Sequence, residues 1–310
     1  MSIRVLPTRR RVSKKEPHAL RQHPRPGHRR PGRGYAVPAI NIIDPLTIKA
    51  VVEAADAIGS PVILQTSVKT VKSAGAGVLH FAARDAADAA SVGVSLHLDH
   101  CPDREVITLA IKHGWSSVLF DASERDLDQA RKETGEVCAE AHAAGVSVES
   151  EIENIIGVED GVGSDEARHS YSVEQLVEVA LETGTDLMAP QLGTAHGMYS
   201  SQPVLLPERV RQIGALTDLP VVLHGGTGLT QAEFDEFIDA GVTKINISTA
   251  LKRAYMQSAL DYLKQCEASN KWEPTKLFEP MIEASKALMV EFAGIFHSAG
   301  RDGAGRAGDQ

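Results

Sequence analysis

Three histidines stand in short segments whose neighbours suit a metal ion: His97-Leu98-Asp99-His100, Gly193-Thr194-Ala195-His196-Gly197 and Leu223-His224-Gly225-Gly226-Thr227-Gly228. The first and third follow apolar runs, Val94-Ser95-Leu96 and Val221-Val222-Leu223, so their histidines come where a buried strand ends. Imidazole is a common zinc ligand, and three protein ligands with an open fourth position is the layout of a catalytic site. Sequence gaps of about 96 and 28 residues exclude a local finger and require a fold that gathers distant strand ends. Any one of these histidines alone reads as a hydrogen-bonded residue at a strand end. His100, His196 and His224 together, each beside glycine or aspartate, favour a metal site. Asp99 adjoins a proposed ligand, so it is placed to move protons on something bound to the metal. Its other reading is a carboxylate that orients a ligand histidine.

Glycines and hydroxyls supply a second feature. Gly225-Gly226-Thr227-Gly228 follows a strand and leaves backbone N–H groups free to face an anion. Asn246-Ile247-Ser248-Thr249 ends the next apolar stretch and opens a helical pattern. Free N–H groups and hydroxyls at a helix start bind phosphate well. A single glycine-rich loop also serves ordinary tight turns; two consecutive strand ends of this kind carry more weight.

Chemistry spread this widely needs a scaffold. Eight short apolar stretches recur between helical patterns: 36–40, 61–64, 94–98, 117–120, 146–148, 186–188, 221–223 and 243–247. Eightfold strand–helix alternation predicts an α/β fold, a single (β/α)8 TIM barrel, with a C-terminal helical extension after Ala250 that could cap the barrel or meet a partner subunit. That extension is expected to run through 251–260 and then from Pro280 to Ile295. Asn41, Gln65, Asp99, Asp121, Glu149, Gln191, His224 and Asn246 fall where strands are expected to end, and barrel active sites lie at that face. The loops after strands seven and eight are where such barrels build phosphate sites. The acidic, glycine-bearing stretch from Glu153 to Ser170 reads as a mobile lid, or as an ordinary surface loop.

From about Gly34 to about Ser298 the chain resembles the class II, metal-dependent ketose-bisphosphate aldolases, the family of fructose- and tagatose-bisphosphate aldolases. The likeness is carried by Tyr35-Ala36-Val37-Pro38-Ala39-Ile40-Asn41, Ser60-Pro61-Val62-Ile63-Leu64-Gln65, Ser117-Val118-Leu119-Phe120-Asp121-Ala122-Ser123 and Val158-Glu159-Asp160-Gly161, with the histidine segments. The resemblance implies reversible aldol cleavage of a ketose 1,6-bisphosphate to dihydroxyacetone phosphate and glyceraldehyde 3-phosphate. It implies one catalytic zinc on His100, His196 and His224, and allows a monovalent cation beside it. Asp99 would be the proton donor and Glu159 the loop glutamate that moves the C3 proton. Asp121 and Glu151 match carboxylates that in some members hold the metal in an alternative position. Asn41, Gly197, Gly225, Gly226, Thr227, Asn246, Ile247, Ser248 and Thr249 would bind substrate. A homodimer or homotetramer is also implied. Where the family often has Glu-Leu-Gly, this chain has Glu151-Ile152-Glu153. The added carboxylate could act on the lid hinge, act on the alternative metal position, or face solvent.

Composition narrows the alternatives. The net charge of −9 hides a basic start: residues 1–34 hold Arg9-Arg10-Arg11, Lys14-Lys15 and Arg29-Arg30, with Glu16 their only acid. The rest is therefore strongly acidic, which argues against a nucleic-acid partner. The tail lacks apolar periodicity and is expected to be disordered, ahead of a barrel domain at 35–300 and a flexible terminus at 301–310. An Arg-rich, acid-poor start can mark a transit peptide, but Pro24, Pro26 and Pro31 break the amphipathic helix one needs. Cys101, Cys138 and Cys266 show no paired spacing, which fits a reducing cytoplasm; Cys101 reads as a small filler rather than a ligand. No apolar run is long enough to span a membrane. Three rival readings remain. A Schiff-base aldolase would use Lys244 on the last strand but leaves the histidines unexplained. A barrel metallohydrolase would need a His-x-His pair within 36–41, which is absent. A non-enzymatic barrel would bind sugar phosphates without turnover.

Overall fold

Helix starts in this chain are written in capping residues. Asp44, Ser67, Asp103, Asp126, Ser172 and Thr230 each accept a hydrogen bond from a first-turn backbone N–H, satisfying donors that the helix itself cannot. Pro45 and Pro207 stand at first helical positions, where a missing N–H costs nothing. Gly114 and Gly184 end their helices in the left-handed conformation.

The computed structural model describes residues 34–155, 157–159, 162–164, 169–195, 197 and 203–302. Residues 1–33 and 303–310, and with them most of the expected tails, lie outside the described residues. The chain runs β1 Val37–Asn41, α1 Pro45–Ala57, β2 Val62–Ser67, α2 Val68–Ala74, α3 Ala76–Ala89, β3 Val94–Cys101, α4 Arg104–His113, β4 Ser117–Asp121, α5 Leu127–Ala143 and β5 Ser147–Glu151. It continues β6 Gly157–Glu159, β7 Val162–Ser164, α6 Val173–Thr183, β8 Leu187–Met188, α7 Pro207–Leu216, β9 Val221–Leu223, α8 Gln231–Ala240, β10 Val242–Ile247, α9 Thr249–Ser269 and α10 Pro274–Ile295. Among the described residues the eight parallel strands close in the order β1-β10-β9-β8-β5-β4-β3-β2. This is the (β/α)8 barrel, and β6 and β7 form a separate antiparallel hairpin inside the stretch expected to be a lid.

Each expected strand is present. β2, β3 and β5 each run three residues further than their apolar runs, through Gln65-Thr66-Ser67, Asp99-His100-Cys101 and Glu149-Ser150-Glu151, all buried. The polar residues were read as strand ends, but inside a barrel mouth they continue the ladder. The last helix also differs. It begins at Pro274 and carries Pro280 within it, so Pro280 is not its start. Pro274 takes the first position, and the N–H missing at Pro280 forfeits only one bond of the early helix. α10 packs on α1 and α9. Its C-terminal end reaches the first strand, where Ala36 N–H donates to the Phe296 carbonyl at 3.0 Å. α9 leaves Met256, Leu260 and Leu263 exposed along one face.

Candidate metal and proton-transfer site

Adjacent residues of a regular strand point to opposite faces, so Asp99 and His100 should not reach one site. The backbone of β3 departs from regularity at this point. Its register against β4 shifts between Leu98 and Cys101, and His100 adopts a φ of +38°. A bulge of this kind re-aims side chains, and a left-handed non-glycine residue is a strain that marks function. The result places an Asp99 carboxylate oxygen and ring nitrogens of His100 and His224 within 4.8 Å of one another, all buried. His196 lies outside the described residues.

His224 is oriented from within the barrel. Its Nε2 lies 2.8 Å from Glu149 Oε1, and its Nδ1 lies 2.8 Å from His100 Nε2. Burial, opposed by the Glu149 hydrogen bond and reinforced by His100, lowers the His224 pKa to about 4, so its ring is neutral at neutral pH. Glu149 is acceptor-only when ionised, so Nε2 carries the proton and Nδ1 presents a lone pair toward His100. Glu149 is fully buried; burial opposes its charge, but Lys244 and the hydrogen bond from His224 hold its carboxyl well below the usual range. Lys244 Nζ donates to Glu149 Oε2 at 2.6 Å and to His97 Nε2 at 3.4 Å. Because an ammonium only donates, His97 Nε2 is bare and its Nδ1–H donates to Ser117 Oγ at 2.6 Å.

Asp99 is held from two sides. Gln65 Nε2 donates to Asn41 Oδ1 at 2.7 Å, which turns the Asn41 Nδ2 toward Asp99 Oδ2 at 2.8 Å. Asn246 Nδ2 approaches Asp99 Oδ1 at 3.3 Å and the His224 ring at 3.2 Å. Above them the glycine loop folds tightly. Gly225 has φ +70°, and a Cβ there would meet the Ala195 carbonyl oxygen at 2.4 Å. The loop after β9 is thus pressed against the segment that leads to His196 and Gly197. Ser248, before the first turn of α9, has a buried hydroxyl without a hydrogen-bond partner.

The chain matches the class II fructose-bisphosphate aldolase family over residues 31–301. The chain belongs to that family. This aldolase, a carbon–carbon lyase, is 34% identical over 271 residues to the D-tagatose-1,6-bisphosphate aldolase subunit GatY of Klebsiella oxytoca, covering 87% of this chain and 94% of that protein. Its structure superimposes on a protein assigned as a fructose-1,6-bisphosphate aldolase from Coccidioides immitis with a TM-score of 0.79 and 29% identity, covering 87% and 94% of the two chains. Against the YdjI aldolase of Escherichia coli K12 the TM-score is 0.75 at 28% identity, with the same coverage.

The donors of the aldolase fit a divalent cation. His100, Asp121 and Glu151 form a second buried group beside the first, with Glu151 Oε2 3.3 Å from His100 Nδ1. Among the described residues that same Glu151 oxygen accepts no hydrogen bond and is met only by the His100 ring. Burial pushes the Glu151 carboxyl well up, with the Asp121 charge adding to it. Burial opposes charge on His100, but Glu151, Asp99 and Asp121 lift its pKa well above the usual value. Asp121 shifts the other way, because contacts with His100 and Ser123 outweigh burial. An acid-rich pocket that retains protons is one a cation can enter by displacing them.

Residue by residue, Asp99, His100, His224, Asn246, Asp121 and Glu151 gather at the mouth. Asn41 donates to Asp99. Glu159 ends β6, where the backbone alone is described. Lys244 has its donors committed to Glu149 and His97, which leaves the Schiff-base reading without an exposed amine. Cys101 is a buried filler whose Sγ donates to the Asp103 carbonyl. Sequence reasoning missed the His97–Lys244–Glu149 network as a unit, and took Glu149 for a strand end. The available signal was period-two spacing: His97 with Asp99, Glu149 with Glu151 and Lys244 with Asn246.

Proposed function

We propose that this aldolase reversibly cleaves the C3–C4 bond of a ketose 1,6-bisphosphate, fructose or tagatose, to dihydroxyacetone phosphate and glyceraldehyde 3-phosphate, with one zinc ion per chain. The convergence of Asp99 with the His100 and His224 imidazoles carries this reading. His100, His196 and His224 would hold the zinc, which when bound supplies Lewis-acid polarisation of the substrate carbonyl. The remaining work falls to the protein. Asp99 takes the C4 hydroxyl proton in cleavage and returns it in condensation, its carboxylate held by the Asn41 and Asn246 amides. Glu159, at the end of β6, exchanges the C3 proton. Gly197, Gly225, Gly226 and Thr227 with Asn246 to Thr249 bind phosphate, using backbone N–H groups and the unpartnered Ser248 hydroxyl. Binding energy from the phosphate positions the reacting carbons. Asp121 and Glu151 provide the alternative metal position.

The names of the Klebsiella and Coccidioides relatives support one C4 epimer each. The exposed α9 face supports assembly as a homodimer or homotetramer. Among the described residues no helix is long and apolar enough to cross a membrane, and we assign the enzyme to the cytoplasm on the absence of paired cysteines. The test is steady-state cleavage of both bisphosphates by zinc-loaded, EDTA-stripped and reconstituted protein. Turnover of at least one bisphosphate, lost with EDTA and restored by zinc, is expected. Full activity in metal-free protein would overturn the proposal.

A further inference from the structure

Glu153 is fully buried, and three donors converge on its carboxylate. Tyr171 N–H and Arg209 Nη2 donate to Oε1, each at 2.8 Å, and Gln191 N–H donates to Oε2 at 3.0 Å. Arg209, on α7, completes the cluster by donating to the Gln191 carbonyl at 3.0 Å and the Tyr171 carbonyl at 2.7 Å. These donors come from separate parts of the chain. Glu153 follows β5 and leads into the β6–β7 hairpin, Tyr171 returns from it, and Gln191 follows β8 and leads to Gly193–Gly197.

The placement of this carboxylate has a mechanical meaning. The β5–β8 ladder is short, pairing Glu149 with Leu187 and Ser150 with Met188, and its last backbone contact is Ala189 N–H to the Ser150 carbonyl. Past that point the Glu153 carboxylate replaces the backbone ladder and binds N–H groups that no neighbouring strand serves. The two feet of the hairpin and the start of the next loop therefore share one anchor. Among the described residues Glu153 belongs to neither group of metal-competent side chains, so it does not extend the alternative metal position.

We propose that the Glu153–Arg209 pair is a positioning device. It fixes the root of the hairpin that carries Glu159 to the root of the loop that carries Gly197, and so sets the distance between proton transfer and substrate binding. The inference rests on the aldolase reaction proposed above. A glutamine at 153 offers one acceptor oxygen where two are used, and turns an amide N–H toward a backbone donor. A neutral residue also leaves the half-buried Arg209 against two carbonyls without its counter-ion.

The test compares Glu153→Gln, Arg209→Met, their double variant and the milder Arg209→Lys with wild type, all zinc-loaded and well below their melting temperatures. Misplacement of a catalytic group by about 1 Å costs on the order of 10²-fold. Glu153→Gln and Arg209→Met should each lower kcat for cleavage and tritium exchange into dihydroxyacetone phosphate by about 10–100-fold, with zinc content retained and KM little changed. The double variant should be no worse than the worse single one. Amide exchange should quicken together in the peptides holding Tyr171 and Gln191. Should either single variant fail to fold, Arg209→Lys carries the test, with the same paired exchange change and a smaller loss of kcat. Lower melting temperature with wild-type kcat would make the pair purely structural and overturn the proposal, as would unaltered exchange at Tyr171 and Gln191. A wild-type enzyme that cleaves neither bisphosphate would instead overturn the proposed reaction, and the paired exchange change alone would then judge the clasp.

Discussion

Replacing Lys244 with methionine separates what the buried ion pair does for stability from what it does for the metal site. Lys244 and Glu149 are sealed in the barrel, 2.6 Å apart, at 1% and 0% exposure. Lys244→Met deletes the cation and leaves the carboxylate without a counter-charge. Breaking a buried pair in this way costs about 3–5 kcal/mol. At about 2–4 °C per kcal/mol for a domain of comparable size, the melting temperature should fall by roughly 6–20 °C, with the lower half of that range expected for a chain this long. Adding Glu149→Gln to Lys244→Met removes the stranded charge and keeps an oxygen that can accept from His224 Nε2. The double variant should recover much of the lost stability. Its zinc affinity should still fall by about 10–100-fold, because a neutral amide orients and enriches the imidazole less than a carboxylate does.

Thermal melts by circular dichroism and calorimetric zinc titration read the two effects apart. The pH dependence adds a sign. The Glu149 carboxyl titrates well below its ordinary value because Lys244 and the hydrogen bond from His224 outweigh the penalty of burial. Its contribution is therefore present above the unfolded carboxylate pKa of about 4.3, and is lost as pH falls through the folded value. Lys244→Met should flatten that acid limb. A single variant as stable as wild type, or a double variant less stable than Lys244→Met alone, would refute the account.

Four further outcomes are expected. Asp99→Ala should lower cleavage by about 10²–10⁴-fold while zinc stays bound, measured by steady-state kinetics beside metal analysis; unchanged turnover would remove Asp99 from proton transfer. Gly225→Ala should cut kcat more than 10-fold, because its Cβ would fall 2.4 Å from the Ala195 carbonyl oxygen at φ +70°. Gly135→Ala, in α5 with open space around it, should instead be neutral or stabilising by up to about 1 kcal/mol. Burial pushes the thiols of Cys101 and Cys138 up to about 12. With about 10⁻⁴ of each ionised at pH 8, iodoacetamide should leave both unmodified in the folded enzyme and label them after denaturation, as read by mass spectrometry.

The barrel was legible because buried parallel strands must be apolar on both faces, and that requirement writes itself into runs such as Val221-Val222-Leu223. The same rule explains where the reading stopped short. His97, Glu149 and Lys244 interrupt apolar strands, and a strand-by-strand view has no means of knowing that they complete one another's hydrogen bonds across the barrel. The convergence of Asp99 with His100 was expected from adjacency alone, yet adjacency in a strand separates side chains. What joins them is a register shift against β4 and a left-handed backbone at His100, both products of tertiary pairing. Glu153 was visible as a departure from the family pattern, but its role depended on Arg209, 56 residues further on.

The Lys244–Glu149 pair also constrains the order of events at the ribosome. The two residues are 95 positions apart, so at about 5–20 residues per second Glu149 emerges roughly 5–20 s before its counter-ion. During that interval a half-barrel that buried Glu149 would enclose an anion with no cation to meet it. Early strands can pair along their edges, but burying Glu149 before β10 arrives would cost either an unpaired charge or a proton taken up by the carboxylate. Arrival of β10 brings Lys244 and the strand that pairs with both β9 and β1, so neutralising the interior and closing the ring are one step.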